Sequence, residues 1–140
     1  MDNREFDFFQ DHSRNYLEMA LRHDRHQRME KPDGFGERTG DCGDRVEMYL
    51  NMENDRIQTV TFVVHGCMNT NACANALAQL AEGRTVAQAW KLEVEDVVDY
   101  LETLPEDHIH CAELAVGAFY LALSNYRSLR RHPWKRDYPS

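Results

Sequence analysis

The spacing of apolar residues changes character several times along the chain. In "EFDFFQDHSRNYLEMALRH", Phe6, Phe9, Tyr16 and Ala20 share one helical face with Leu17 and Leu21 beside them, which predicts an amphipathic first helix packed by that face on the domain. "DRHQRMEKPDGFGERTGD" is polar, contains Pro32 and three glycines, and has no sustained period. It predicts a long loop, a kind of segment that often carries function. From Val46 the period becomes two: Val46, Met48, Leu50 and Met52 alternate with polar or amphipathic positions, as in a half-buried strand. "ENDR" follows as a turn, and Val60, Phe62 and Val64 of "IQTVTFVVH" resume the alternation in a β-branched run, which predicts a hairpin ending near His65.

Beyond "GCMNT" the helical period returns. "NACANALAQLAEG" is rich in alanine and leucine, offers Asn and Thr as N-caps and stops at Gly83. Thr85 is placed to cap the short "VAQAW". Val94, Val97, Val98, Leu101 and Leu104 form a stripe closed by Pro105. In the last helix, after Cys111, Leu114, Ala118 and Leu121 share a face, with Ala115, Ala122 and Leu129 beside it. Strands first and helices afterwards predict an α+β domain, a small antiparallel sheet covered on one face by helices. No internal repeat or low-complexity tract interrupts it, and 140 residues suit a single domain with its own core. The basic, proline-punctuated end "RRHPWKRDYPS" reads as a solvated tail or as a contact for an acidic partner.

The net charge of −8, from 16 basic and 24 acidic residues, argues against general nucleic-acid binding and against an anionic membrane surface, and favours protein or metal partners. No apolar run approaches the roughly 20 residues of a membrane span, and the start "MDNREFDFFQDH" lacks the order of a signal peptide, so a cytoplasmic location is expected. In that compartment Cys42, Cys67, Cys73 and Cys111 stay reduced, which ranks thiol chemistry or metal ligation above disulfides.

Three of these cysteines fall at predicted element boundaries. At a helix N-terminus the free N–H groups favour a thiolate, so Cys67 and Cys111 are candidates for a lowered pKa. Asp44 lies two residues after Cys42, His110 directly precedes Cys111, and Gly43 and Gly66 keep the backbone unencumbered near two of the thiols. "CGD", "GC" and "HC", separated by 25 and 44 residues between cysteines, suggest one metal site assembled from three loops. Cys73 reads as core. His65 reads as a surface or satisfied polar residue, His23 and His26 as solvated, Asp41 as turn chemistry and Arg45 as a surface ion-pair partner.

The combination Cys42-Gly43-Asp44, Gly66-Cys67 and His110-Cys111, in this order from about Gly36 to Tyr126, resembles the U-type iron-sulfur cluster scaffold family of IscU and the N-terminal domain of NifU. The resemblance implies an α+β fold with about three strands and a non-enzymatic protein that accepts iron, and sulfur from a cysteine desulfurase. Such a protein builds a [2Fe-2S] cluster and passes it to apo-proteins. It implies Cys42, Asp44, Cys67, His110 and Cys111 as the ligand set, with Cys111 as persulfide acceptor. A homodimer around the cluster remains open, and zinc is an alternative occupant of the empty site. "LPEDHIHC" stands where bacterial members carry LPPVK before the HC motif, and Glu106 and Asp107 reverse the charge that a DnaK-type chaperone would meet. Residues 1–35 diverge from the family pattern, and residues 131–140 form the tail. The SufU branch, which shares "CGDR", implies the alternative of a zinc-bound sulfur acceptor. A cysteine-nucleophile enzyme using Cys111, His110 and Asp44 is less favoured, because chain neighbours seldom orient base and nucleophile well.

Overall fold

A computed structural model describes residues 11–131. Phe6 and Phe9 of the predicted first helix, and the tail beyond Arg131, lie outside these residues. What is described of the first helix is α1, Arg14–Leu21. It begins at Ser13, whose hydroxyl accepts from the Tyr16 N–H, so the amphipathic stretch does not run unbroken through residue 13.

The segment expected to be a long loop contains a strand, β1 (Gly34–Thr39), followed by β2 (Arg45–Glu53) and β3 (Arg56–His65) in an antiparallel sheet of order β1-β2-β3. The β2–β3 turn is "ENDR" as expected, with Asn54 and Asp55 both at positive φ, the conformation of a tight two-residue hairpin. Helices α2 (Met68–Ala81), α3 (Val86–Ala89), α4 (Val94–Leu101) and α5 (Ile109–Arg131) follow, the last after a 3₁₀ turn at Glu106–His108. Gly83, at φ 91°, ends α2, and Thr85 closes a reciprocal cap with Gln88 on α3. Cys67, not an Asn or Thr, is the N-cap of α2.

Val46, Met48 and Leu50 of β2 and Val60 and Phe62 of β3 are fully buried in one core with α2, α4 and α5. The reason β1 escaped the periodic signal lies in its packing. Gly34 and Gly36, on the strand face toward α5, permit a very close approach. A Cβ on Gly36 would collide with the backbone at Ala118 and Ala122 and come within 2.8 Å of the Leu121 Cβ. The strand buries itself by having no side chains there, which hydrophobic alternation cannot register. Leu121, expected on the packed face of α5, is 48% exposed, while Phe119 and Leu123 fill the core. Leu104 is buried just beyond the end of α4, although expected within its stripe.

The opposite face of the hairpin holds a buried acid. Glu47 is only 4% exposed and accepts from Nε and Nη2 of Arg28 (3.1 and 3.3 Å) and from the Tyr49 hydroxyl (2.6 Å). Burial raises its pKa, but these donors outweigh that and leave it below the usual carboxylate range. Arg45 and His65 approach the same carboxylate at 3.6 and 3.5 Å, and Arg45 also pairs with Glu37. Glu47 thereby braces the two strand ends that lead into Asp44 and Cys67.

Candidate metal centre

Three chain segments deliver the site. Between β1 and β2 the chain reverses over residues 40–44, closed by Gly40 N–H to Asp44 O (2.8 Å) and Gly43 N–H to Gly40 O (3.0 Å), with Gly43 at φ 91°. Glycine reaches that conformation without the Cβ clash other residues meet. The reversal leaves Asp41 and Cys42 exposed at its tip and turns Asp44 back across the sheet toward the end of β3. There Gly66 makes room: a Cβ on it would lie 2.5 Å from the Asp44 carboxyl carbon.

The Asp44 carboxylate accepts from the Thr70 hydroxyl at 2.8 Å and from the Cys67 N–H at 3.4 Å. One ligand-capable atom from each of Asp44, Cys67 and Cys111 lies within 4.8 Å of the other two. This is the converging set of His, Cys, Asp and Glu ligands among the described residues, and neither Cys42 nor His110 belongs to it. Cys42 lies beside Gly40 and Leu114, and together with His110 it lines an open cleft of about 300 Å³. The exposed His110 ring approaches the Cys111 sulfur at 3.7 Å and stacks on His108. Of the five expected ligands, three meet and two stand at the rim.

The two converging thiols differ in character. For Cys67 burial disfavours the thiolate, but N–H groups of Thr70 and Asn69 and the Thr70 hydroxyl at the start of α2 prevail and bring its pKa down, as expected for a helix N-cap. Cys111 goes the other way. It sits inside the first turn of α5 with no exposed surface, and burial, reinforced by the nearby Cys67 and Asp44, pushes its thiol up to about 11. The expectation of a lowered pKa at Cys111 is therefore reversed: desolvation exceeds what a helix terminus supplies.

Thr70 is the residue that sequence reasoning missed. It is fully buried, donates to Asp44 and lies 3.7 Å from the Cys67 sulfur. The signal was its place three residues after the cysteine that caps α2, where a side chain reaches back over the cap. The start of α2 is held by α1: the Tyr16 hydroxyl donates to Asn69 (2.6 Å), and Asn75 donates to Met19 O (2.8 Å) and Arg22 O (3.0 Å). His26, exposed as expected, also accepts the Val64 N–H through Nε2 at 3.1 Å and sets its ring edge-on to Phe62. With His23 and Met68 it borders a second cleft, about 410 Å³, on the outer side of Cys67. Cys73 is fully buried in the core, its thiol pushed well up by desolvation.

The model of the NifU-like N-terminal domain matches residues 23–132, most of the chain. The chain belongs to that family. Among curated members, this NifU-like domain is 33% identical to the nitrogen fixation protein NifU of Nostoc over 90 residues, which is 63% of this chain and 30% of the relative. It is 36% identical to the iron-sulfur cluster assembly protein IscU of Plasmodium falciparum over 86 residues, 61% of this chain and 52% of the relative. With IscU 1 of Archaeoglobus fulgidus, an iron-sulfur cluster assembly scaffold protein, identity is 31% over 101 residues, 71% and 65% of the two chains. The NifU-like domain thus spans from under a third to just under two thirds of these relatives. The fold matches a NifU-like N-terminal domain from Brucella abortus (TM-score 0.67, 16% identity, 83% of this chain and 94% of that one). It also matches a protein assigned to iron-sulfur cluster assembly in the SUF system of Fervidobacterium islandicum (TM-score 0.67, 18% identity, 84% and 99%).

Proposed function

We propose that this NifU-like domain is a scaffold, not an enzyme, on which a [2Fe-2S] cluster is assembled from iron and desulfurase-derived sulfur and then passed to apo-proteins. The observation that carries the reading is the convergence of Asp44, Cys67 and Cys111 within 4.8 Å, with Cys42 on the exposed turn beside them. The names of the IscU and NifU relatives support it. Thiolates are the usual holders of iron-sulfur cargo, and a hard carboxylate is a poorer match than a fourth thiolate. Asp44 in this reading is the corner that lets go. Cys42 would join by rearrangement of the 40–44 turn, and His110 serves as alternate ligand or tunes Cys111.

Sulfur arrives as a persulfide. The acceptor thiolate attacks its outer sulfur, the donor S–S bond breaks, and the donor leaves as thiolate. We assign the acceptor role to Cys111, whose raised pKa then sets a condition. Asp44 and Cys67 would hold a cargo dication with the Cys111 sulfur within 4.8 Å of their ligand atoms, and its charge would favour the Cys111 thiolate, so metal would precede sulfur. The test is anaerobic reconstitution with iron, cysteine and a desulfurase, followed by absorption and Mössbauer spectroscopy. The expected result is one [2Fe-2S] chromophore per site, and a colourless product retaining only zinc would count against the scaffold.

The same donor set also suits tetrahedral zinc, which favours a second reading, a zinc-bound sulfur acceptor. Stimulated desulfurase turnover with sulfur on the protein, but no cluster under the same conditions, would select it.

A further inference from the structure

Glycine stands inside the last helix at Gly117, a position where it weakens the helix relative to alanine. The space it leaves is occupied. A Cβ there would meet the Arg38 guanidinium head on, with Arg38 Cδ at 2.8 Å and Cζ at 3.1 Å. The arrangement completes a pattern along β1. Gly34, Gly36 and Arg38 share the strand face toward α5, and at the first two the strand gives way to the helix backbone. At the third position the helix gives way to the strand.

The arginine seated this way lines the cleft of about 300 Å³ that also contains Asp41, Cys42, His110 and Glu113. Among the described residues no carboxylate oxygen lies within 4.0 Å of its guanidinium, although the chain carries 24 acidic residues. An exposed cation without an ion-pair partner, seated against a helix glycine beside an exposed thiol, is arranged for an anion that comes from outside. Resting on the scaffold reading, we propose that Arg38, seated on Gly117, makes this cleft a subsite for the anionic persulfide of the incoming sulfur carrier, steering it to the Cys42 side of the site. The carrier is a persulfide on a partner protein's cysteine or on a small carboxylated thiol, and the chemistry recognised is the same. Asp41 and Glu113 on the walls limit the attraction, so the effect is one of selection between anionic and neutral partners.

The test compares alkylation or disulfide exchange at Cys42 by an anionic and a neutral thiol reagent, with the modified residue located by mass spectrometry in the full chain. Both reagents meet the same thiol, so its ionisation cancels from the ratio of rates. The wild type should favour the anionic reagent over Arg38→Ala by roughly three- to ten-fold at low salt, shrinking as salt rises. Arg38→Lys should keep part of the preference. Gly117→Ala retains the charge and removes the seat; because only a flexible side chain must move, the helix should fold, and the ratio should drop toward that of Arg38→Ala. A ratio unchanged in Arg38→Ala overturns the anion subsite, and one lost in Arg38→Ala but intact in Gly117→Ala overturns the seat.

Sulfur delivery to Cys111, the acceptor on the scaffold reading, is then followed as the added mass with ferrous iron present, from a loaded desulfurase and from free cysteine persulfide. Slower delivery to Arg38→Ala from one donor identifies that source, and no slowing from either overturns the assignment to sulfur. If the wild type accepts no sulfur while its reagent ratio stands, the scaffold reading fails and the anion subsite survives.

Discussion

Replacing Gly66 with alanine tests how the site is held. The new Cβ would fall 2.5 Å from both Cγ and Oδ2 of Asp44, about an ångström inside ordinary contact, so the carboxylate must swing away. It would then leave the Thr70 hydroxyl (2.8 Å) and the Cys67 N–H (3.4 Å). A hydrogen bond to a charged group contributes about 1.5–3 kcal/mol, and loss of an outer partner of a metal ligand typically weakens binding about 10- to 100-fold. These two routes agree, since about 1.4 kcal/mol is tenfold. Zinc affinity, measured by competition with a chromophoric chelator, should therefore fall about 10- to 100-fold in Gly66→Ala. Thr70→Val, which removes the donor but leaves Asp44 unobstructed, should lose a similar amount, and Thr70→Ser should lose little. Apo-protein stability should change by only about 1 kcal/mol, because the lost bond is partly offset by a stiffer unfolded chain. Wild-type zinc affinity in Gly66→Ala, with the fold intact by circular dichroism, would refute the role given to Asp44 and Thr70.

Other consequences follow from the same geometry. Gly36→Ala drives a methyl into the α5 backbone at Ala118 and Ala122, which cannot yield as a side chain would, so stability should fall by about 1–3 kcal/mol in urea titrations. A loss under 1 kcal/mol would mean that β1 and α5 separate easily. Cys111, raised from 9.0 to about 11, stabilises the metal-free fold fully below the unfolded thiol's range, and that contribution disappears as pH climbs through about 11. The urea midpoint should drop between pH 9 and 11 by more in the wild type than in Cys111→Ala, and parallel profiles would contradict the burial argument. Asp44→Ala should hold a reconstituted [2Fe-2S] cluster longer against chelator or an apo-ferredoxin acceptor, whereas faster transfer would remove Asp44 from the release step.

Much of the fold was legible in the chain because most of its elements declare themselves through side-chain period. Val46 to Met52 and Val60 to Val64 alternate as strands, and the alanine-rich run before Gly83 and the stripe from Val94 report helices. The three motifs at Cys42, Cys67 and Cys111, with their order and spacing, were sufficient to mark the family. Cys73 was likewise readable as core, since a small apolar side chain in an alanine-rich helix has little else to do.

What the tertiary structure decided was everything that depends on close approach across the sequence. β1 is invisible to periodicity because its contribution to packing is the absence of Cβ atoms at Gly34 and Gly36 against a helix about 80 residues away. The opposite pKa directions of Cys67 and Cys111 could not be separated from sequence, since both stand at helix starts and only burial distinguishes them. Thr70 beneath Asp44, Gly66 beside it, and Arg38 in the notch of Gly117 are pairings between distant segments with no local signature. The sequence determined which residues could form a metal site, because ligand chemistry belongs to residue type. Only the fold determined which of them meet, because distance and desolvation belong to the packed chain.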